Sequence, residues 1–270
     1  MPSHWPERRF HLFELHDLAW FPAVFRSALT EWLRALWEYS EAADVVTPLL
    51  RKSLAISGAA RLVDLCSGRS GPVIPVQNRL ESAGVFLPVV ITDKFPDHTA
   101  LIRLRDQSGG RITVSLEPVD ATSLPGDLLG FRTLFNAFHH FRPADARRIL
   151  ADAYRSRQPI GIFEITERRL SKVLLCFPAS FLSVFLLIWK MYPHRMAWWI
   201  FTWLIPVIPI TIAWDGLVSH LRTYTPAEME QLIEGLRDET FRWETGRVAA
   251  PRAGLDVSYL IGVPVDPPGL

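Results

Sequence analysis

Acidic and small residues follow apolar runs at several points in the first half of the chain. The segment RLVDLCSGRSGP begins as an apolar run and ends in a turn that contains Gly68 and Gly71. Glycine lets the backbone approach a bound ligand closely and adopts positive φ angles without strain. Asp64 and Asp93 each end such a run, and the carboxylate of Asp93, which only accepts hydrogen bonds, suits a ligand that presents hydroxyl groups. These residues predict a nucleotide-like ligand at the ends of strands.

A second group of polar residues has types that move protons. The segment LGFRTLFNAFHHF ends in two adjacent histidines, and histidine is a common general base because its pKa lies near neutrality. On a helix, Asp215, Ser219 and Arg222 share one face. That face is either the wall of a substrate pocket or a solvated helix surface. The candidate catalytic residues are His139, His140, Asp215 and Arg222.

The segments that position these residues alternate between strands and helices. Five runs have strand character: RLVDLCS, LPVVITD, RITVSLEPVDA, LGFRTLFNAFHHF and PIGIFEIT. The alternation predicts an α/β fold with a Rossmann-like parallel sheet, helices on both faces and ligands at the carboxyl ends of the strands. Near the end of the chain, FRWETGRV and VSYLIGVP predict a terminal antiparallel β-hairpin.

The order of these elements divides the chain into three parts. Residues 1–57 are predicted to be an N-terminal helical segment, because apolar residues recur there at helical spacing. Residues 58–170 and 215–265 are predicted to form the α/β domain. Residues 171–214 interrupt that domain as an apolar helical hairpin.

The insertion contains two nearly uncharged apolar runs, at 173–189 and 196–214, separated by KMYPHR. Each run is close to the length of a membrane span. A full crossing from the cytoplasm would place the basic connector outside, against the positive-inside rule. Pro206 and Pro209 also interrupt the second run. We therefore expect a shallow or re-entrant hairpin that dips into the membrane from its cytoplasmic face. The alternative is a buried helical pair in a soluble domain or dimer.

The order of the strands and the terminal hairpin resemble the class I S-adenosylmethionine-dependent methyltransferases, over roughly residues 60–170 and 215–263. The resemblance implies that Asp64 ends the first strand, before a turn close to the methionine part of the cofactor. Cys66 and Ser70 stand where the family usually has glycine. Since a β-carbon resists positive φ, we expect negative φ at both positions.

The same resemblance implies roles for later residues. Asp93 accepts hydrogen bonds from the ribose hydroxyls, and Asp120 meets the adenine amino group. Asn136 and the two histidines face the reacting methyl group. The implied cofactor contacts are Asp64, Cys66, Ser67, Gly68, Gly71, Asp93, Lys94, Asp120, Ala121 and Asn136. A nicotinamide-binding Rossmann protein is the nearest alternative, but its GxGxxG fingerprint is absent and the terminal hairpin does not belong to it.

Composition narrows the possible partners and compartments. The 270 residues have a formal net charge of +1, which argues against a nucleic-acid partner. Cys66 and Cys176 lie far apart and form no CxxC pair, which argues against a disulfide framework or a thiolate zinc site and suits a reducing compartment. No metal-binding residues are predicted. The segment MPSHWPERRF has no apolar stretch, so no secretory signal is expected.

Two functions of different classes follow from these features. The first is an enzyme that transfers a methyl group from S-adenosylmethionine to an apolar, membrane-associated acceptor. The second is a non-catalytic binding or scaffold protein on the membrane that has kept the fold. Quinone precursors, polyketides, isoprenoids and lipid head groups all remain open as acceptors, and the oligomeric state remains open as well.

Overall fold

A seven-stranded sheet forms the centre of the computed structural model, which describes residues 8–18 and 20–265. The strand order is β3-β2-β1-β4-β5-β7-β6. Strands β1 to β5 are parallel, and β7 runs antiparallel to both β5 and β6. The strands are Leu62–Asp64 (β1), Val89–Ile91 (β2), Ile112–Val114 (β3), Phe131–Phe135 (β4), Ile160–Glu164 (β5), Phe241–Ala249 (β6) and Asp256–Pro264 (β7). The predicted parallel sheet with a terminal antiparallel hairpin is confirmed.

Helices cover both faces of this sheet. They are Ala23–Ser40 (α1), Ala42–Ser57 (α2), Val73–Ser82 (α3), His98–Gln107 (α4), Pro143–Arg155 (α5), Leu170–Leu187 (α6), Met196–Trp199 (α7), Val207–Arg222 (α8) and Pro226–Leu232 (α9). Residues of α2 and α3 pack on one face of the sheet, and residues of α5 and α9 pack on the other. Burial of these two apolar clusters is the main stabilising contribution, because the free energy scales with the apolar area removed from water.

Local sequence explains where several helices begin. The Thr225 hydroxyl accepts a hydrogen bond from the Glu228 amide, and the Glu228 side chain accepts one from the Thr225 amide, so a capping box starts α9. The Asp97 side chain accepts a hydrogen bond from the Ala100 amide and starts α4. Of the predicted N-terminal helical segment, residues 1–7 and 19 lie outside the described residues.

The apolar insertion is a bent hairpin. Helix α6 is followed by a 3-10 turn, and α7 continues into a π-helical turn at Ile200–Leu204. At Pro206 the chain turns by 80° into α8. A proline ring cannot sit inside a regular helix without displacing the preceding turn, which explains the break there. Helix α8 then continues without interruption through Asp215 to Arg222, so the lipid-like run and the polar stripe belong to one helix.

Helix α1 packs along the insertion. Trp32 of α1 shares an apolar cluster with Val184 of α6, Trp198 of α7 and Ile208 of α8. The Trp32 indole donates a hydrogen bond to the Ser183 hydroxyl at 2.9 Å. These contacts hold the insertion against the protein over much of its length.

Candidate active site

The turn between β1 and α3 contains four residues with left-handed backbone. The φ angle is 57° at Cys66, 55° at Gly68, 88° at Ser70 and 20° at Gly71. The expectation of negative φ at Cys66 and Ser70 is therefore wrong. The chain reverses from a strand into a helix within a few residues, and the left-handed positions make that reversal. A residue with a β-carbon adopts such a conformation at a cost of about 1 kcal/mol.

Asp64 holds this turn against the neighbouring strand. Its Oδ1 accepts a hydrogen bond from the Thr133 hydroxyl at 2.7 Å, and its Oδ2 accepts one from the Ser67 hydroxyl at 2.6 Å. Burial raises the pKa of the Asp64 carboxyl to about 7, although both hydroxyl donors oppose that rise. The side chain therefore joins β1, β4 and the turn.

Asp93 connects the glycine turn to the loop after β2. Its Oδ2 accepts a hydrogen bond from the Gly68 amide and its Oδ1 accepts one from the Phe95 amide, both at 2.7 Å. Each carboxylate oxygen has a second lone pair, which leaves capacity for a diol. A β-carbon placed on Gly68 would meet no heavy atom within 4 Å, so the turn has open space beside it.

Lys94 and Asp120 bind each other near this position. The Lys94 ammonium donates to Asp120 Oδ2 at 2.7 Å, and the hydroxyl and amide of Thr122 donate to Oδ1. The hydrogen bond from Lys94 lowers the pKa of Asp120 to about 2. Ala121 is buried in the core beneath α5.

The chain after β4 contains a buried pair of ionisable groups. Asn136 has φ of 50°, and its Oδ1 accepts a hydrogen bond from the Trp37 indole at 2.9 Å. In the 3-10 turn that follows, His139 Nδ1 lies 2.6 Å from Glu164 Oε2 at the end of β5. Burial opposes the charge of Glu164, but the adjacent His139 holds the pKa of Glu164 below its usual value. With its Nδ1–H donated to Glu164, His139 presents a lone pair at Nε2.

A segment before α1 completes this group. Asp215 Oδ1 accepts a hydrogen bond from the Leu15 amide at 2.7 Å, and Asp215 Oδ2 lies 3.0 Å from His16 Nδ1. Burial alone would lower the pKa of His16, but the hydrogen bond to Asp215 and the charges of Glu14, Asp17 and Asp215 together outweigh it and raise the pKa to about 9. Arg222 Nη1 donates to Glu14 Oε1 at 3.1 Å and to Asp17 Oδ2 at 2.9 Å.

His140 lies between this segment and Arg222. Its Nδ1 is 3.1 Å from Arg222 Nη1 and 3.4 Å from Asp17 Oδ1, and its Nε2 is 3.8 Å from Glu14 Oε2. The four predicted catalytic residues thus lie in one cluster, although Asp215 and Arg222 join it through the N-terminal segment. They are positioning residues, because they hold residues 14–17 in place.

These residues surround one cavity of about 710 Å³. The glycine turn and Asp93 line one end of it, while apolar residues of α1, α6 and α8 line the other. The histidine cluster lies between the two ends. Of the predicted residues, eleven line the cavity: Asp64, Cys66, Ser67, Gly68, Gly71, Asp93, Lys94, Asn136, His139, His140 and Asp215. Asp120, Ala121 and Arg222 lie outside its wall. The volume is within the range of ligand sites in proteins.

Several solved structures are similar in fold to this chain. The plantazolicin methyltransferase BpumL, in complex with SAH, is 10% identical, with a TM-score of 0.49 and coverage of 88% of this chain and 85% of its own. The S-adenosylmethionine-dependent methyltransferase SibL is 14% identical, with a TM-score of 0.49 and coverage of 83% and 56%. An O-methyltransferase family protein from Burkholderia thailandensis is 17% identical, with a TM-score of 0.44 and coverage of 84% and 56%.

No family model matches the chain, and no curated protein matches it. This chain spans little more than half the length of the second and third of these structures. All three are methyltransferases, and the likeness of this chain to them concerns the fold alone. What this chain binds follows from its own residues.

The site also contains four residues that the sequence analysis did not predict. Glu14, His16 and Asp17 come from the segment LFELHDL, where acids and a histidine interrupt apolar residues before the first helix. Glu164 is an acid at the end of the apolar run PIGIFEIT. An ionisable residue inside a run that must be buried needs a charged or hydrogen-bonded partner, and that rule would have identified Glu164.

Proposed function

We propose that this chain is an S-adenosylmethionine-dependent methyltransferase for an apolar acceptor that it takes from a membrane surface. The observation that carries the proposal is the cavity itself. It joins a nucleotide-type end, built from the glycine turn and Asp93, to an apolar end built from α1, α6 and α8. A buried histidine–glutamate pair lies between the two ends.

The residues at the first end fit the cofactor. Asp93 is acceptor-only and already orders the glycine turn through the Gly68 amide, so its free lone pairs suit the two ribose hydroxyls. The open side of Gly68 gives a ligand access to the backbone. When bound, S-adenosylmethionine supplies an electrophilic methyl group on a sulfonium.

The residues between the two ends of the cavity are suited to removing a proton from the acceptor. The acceptor's oxygen loses its proton and bonds to the methyl carbon while the sulfur–carbon bond breaks, which leaves a neutral thioether. Glu164 keeps N–H at His139 Nδ1, so the Nε2 lone pair faces the cavity and can receive that proton. The protein's main contribution is to align the acceptor with the methyl group and to exclude water.

The outer surface of the insertion supports membrane binding. Large apolar side chains are exposed along it, although a soluble surface normally lacks such a continuous patch. Among the most exposed are Leu174, Leu182, Leu186, Trp189, Met196, Trp203 and Leu204. Tryptophan in this set suits the membrane interface, where its ring lies among the head groups.

The contact between α1 and the hairpin connector favours a shallow position. Arg34 donates a hydrogen bond to the Lys190 carbonyl at 2.7 Å, and it also pairs with Glu31 and Glu38 on α1. A hairpin tip that lies beside a charged helix does not cross the hydrocarbon core. We place the α/β domain on the cytoplasmic side, where the free thiols of Cys66 and Cys176 suit a reducing compartment.

The test is transfer of label from S-adenosylmethionine carrying an isotopic methyl group. The purified chain is incubated with it and with a detergent extract of membranes, and the organic phase is analysed by mass spectrometry. We expect a labelled apolar product with the wild type and none with Asp93→Ala. A wild-type protein that binds the cofactor but labels no apolar compound would favour the scaffold alternative.

A further inference from the structure

Two buried polar atoms at the cavity wall have no hydrogen-bond partner among the described residues. They are His139 Nε2 and Glu14 Oε2. His139 is 2% exposed and Glu14 is 0% exposed, and both residues line the cavity. An unsatisfied buried polar group is destabilising by about 1–3 kcal/mol, and more when it is charged. Such an arrangement indicates a missing ligand.

His140 adds a third donor beside them. His139 Nε2 lies 3.6 Å from Glu14 Oε1, and His140 Nε2 lies 3.8 Å from Glu14 Oε2. The three ligand atoms all lie within 4.8 Å of one another. A tetrahedral metal with bonds of about 2.0–2.1 Å holds its ligands about 3.4 Å apart, so small side-chain movements bring the three into range.

We propose that Glu14, His139 and His140 bind a first-row divalent metal ion of the Zn²⁺ type. Two imidazoles and one carboxylate are a donor set that suits zinc and its neighbours better than magnesium or calcium. Three protein ligands leave a fourth position, and all three residues line the cavity, so that position faces the cavity.

Outer partners already orient the three ligands. Glu164 accepts from His139 Nδ1, the carboxylate–histidine arrangement that accompanies most metal-bound histidines. His140 Nδ1 lies 3.4 Å from Asp17 Oδ1 and 3.1 Å from Arg222 Nη1, so the ring must turn from Arg222 toward Asp17 and donate its Nδ1–H there before Nε2 offers a lone pair to the metal. Arg222 then donates to Glu14 Oε1 and to Asp17 Oδ2, which leaves Glu14 Oε2 for the metal.

The balance of charge favours a cation at this position. Four carboxylates meet in the cluster, from Glu14, Asp17, Glu164 and Asp215; Arg222 contacts the first two, His16 contacts Asp215 and His139 contacts Glu164. Buried charges need a partner, because removal from water is costly. A divalent ion bound by Glu14 would add positive charge to a cluster in which the carboxylates outnumber the cationic groups Arg222 and His16.

The open position gives the metal a role in the proposed function, on which this step depends. A metal held by Glu14, His139 and His140 would bind an oxygen of the acceptor and lower the pKa of its hydroxyl group. The proton would then leave to water, because His139 Nε2 would be a metal ligand and no longer a free base. The acceptor class is then an apolar molecule with a hydroxyl or carboxyl group.

The experiment is titration of the purified full chain with Zn²⁺ in a calorimeter, and with Co²⁺ followed by its visible absorption spectrum. We expect one ion per chain and a Co²⁺ spectrum typical of tetrahedral nitrogen and oxygen ligands. Glu14→Gln, His139→Gln and His140→Gln should each weaken Zn²⁺ binding by at least about 100-fold, and Glu164→Gln by at least about tenfold. Mg²⁺ should not compete.

The matched control is His98→Gln, on the exposed side of α4, which should bind Zn²⁺ like the wild type. Circular dichroism checks that each variant folds. If a variant does not fold, its affinity is set aside, and the Co²⁺ spectra of the wild type and of His140→Gln test the metal site instead. Absence of stoichiometric binding, a thiolate-type Co²⁺ spectrum, or equal affinity in the ligand variants would overturn the metal site. Cofactor binding is measured separately, so failure of either idea is distinguishable from failure of the other.

Discussion

The two ends of the cavity are built in different ways. At the cofactor end, Asp64, the glycine turn and Asp93 come from two consecutive strand–loop units, and backbone amides make many of the contacts. In the charged cluster that borders the acceptor end, Glu14, Glu164 and Arg222 come from three distant parts of the chain and meet through their side chains and that of His139. The first end depends on local backbone geometry, and the second depends on the tertiary fold.

This difference determines how well each region tolerates amino-acid substitutions. A turn fixed by its own strands tolerates Cys66 and Ser70 in place of glycine, because neighbouring hydrogen bonds hold the backbone. A cluster of buried charges tolerates little, since loss of one partner leaves another charge uncompensated. We therefore expect substitutions at the first end to change affinity and local strain, and those at the second to change substrate access and ion binding.

The largest expected effect concerns the pH dependence of the cofactor end. The folded protein keeps the Asp64 proton up to a pKa of about 7, whereas an unfolded chain loses it near 4. The free energy of unfolding should therefore fall as the pH rises through that window, by up to about 4 kcal/mol, and should level off above it. Urea titrations of the wild type and of Asp64→Asn between pH 4 and 8 measure this fall. If the free energy of unfolding of Asp64→Asn fell by the same amount, the pH dependence would belong to another group.

The second effect concerns the outer surface of the acceptor end. Leu186 is 71% exposed on α6, and arginine at that position should weaken vesicle binding by about 2 kcal/mol, or roughly thirtyfold. Flotation with lipid vesicles measures the bound fraction. Phe86→Arg is the matched control, because Phe86 is 77% exposed but lies just before β2, at the amino end of the parallel strands, whereas α6 follows the carboxyl end of β5. Equal flotation of wild type and Leu186→Arg would contradict a membrane contact through α6.

The smallest effect concerns the two left-handed residues of the turn. Cys66→Gly and Ser70→Gly should each raise the free energy of unfolding by about 0.5–1 kcal/mol, because glycine relieves the strain of positive φ. Chemical denaturation measures the change. Ser67→Gly is the control and should destabilise, since it removes the hydroxyl that donates to Asp64 and its φ is not positive. Destabilisation by all three variants would mean that side-chain packing outweighs strain.

The same division explains how much could be predicted from the sequence. The strand ends at Asp64 and Asp93 were predictable, because alternating strands and helices place consecutive acids at one edge of a sheet. The contacts of Glu14 with Arg222 and His139 were not, since no local pattern joins residues so far apart in the chain. The φ angles of Cys66 and Ser70 were mispredicted because propensity favours negative φ, and the tertiary hydrogen bonds of the turn override it.

The central claim is that the turn and Asp93 hold S-adenosylmethionine, and calorimetry of cofactor binding tests it most directly. The wild type should bind one molecule per chain. Asp93→Ala should lose about 2 kcal/mol or more of binding free energy, since it removes the charged acceptor, while Asp106→Ala on the exposed end of α4 should bind normally. A wild type that binds no cofactor, or equal affinity in a folded Asp93→Ala, would contradict the account.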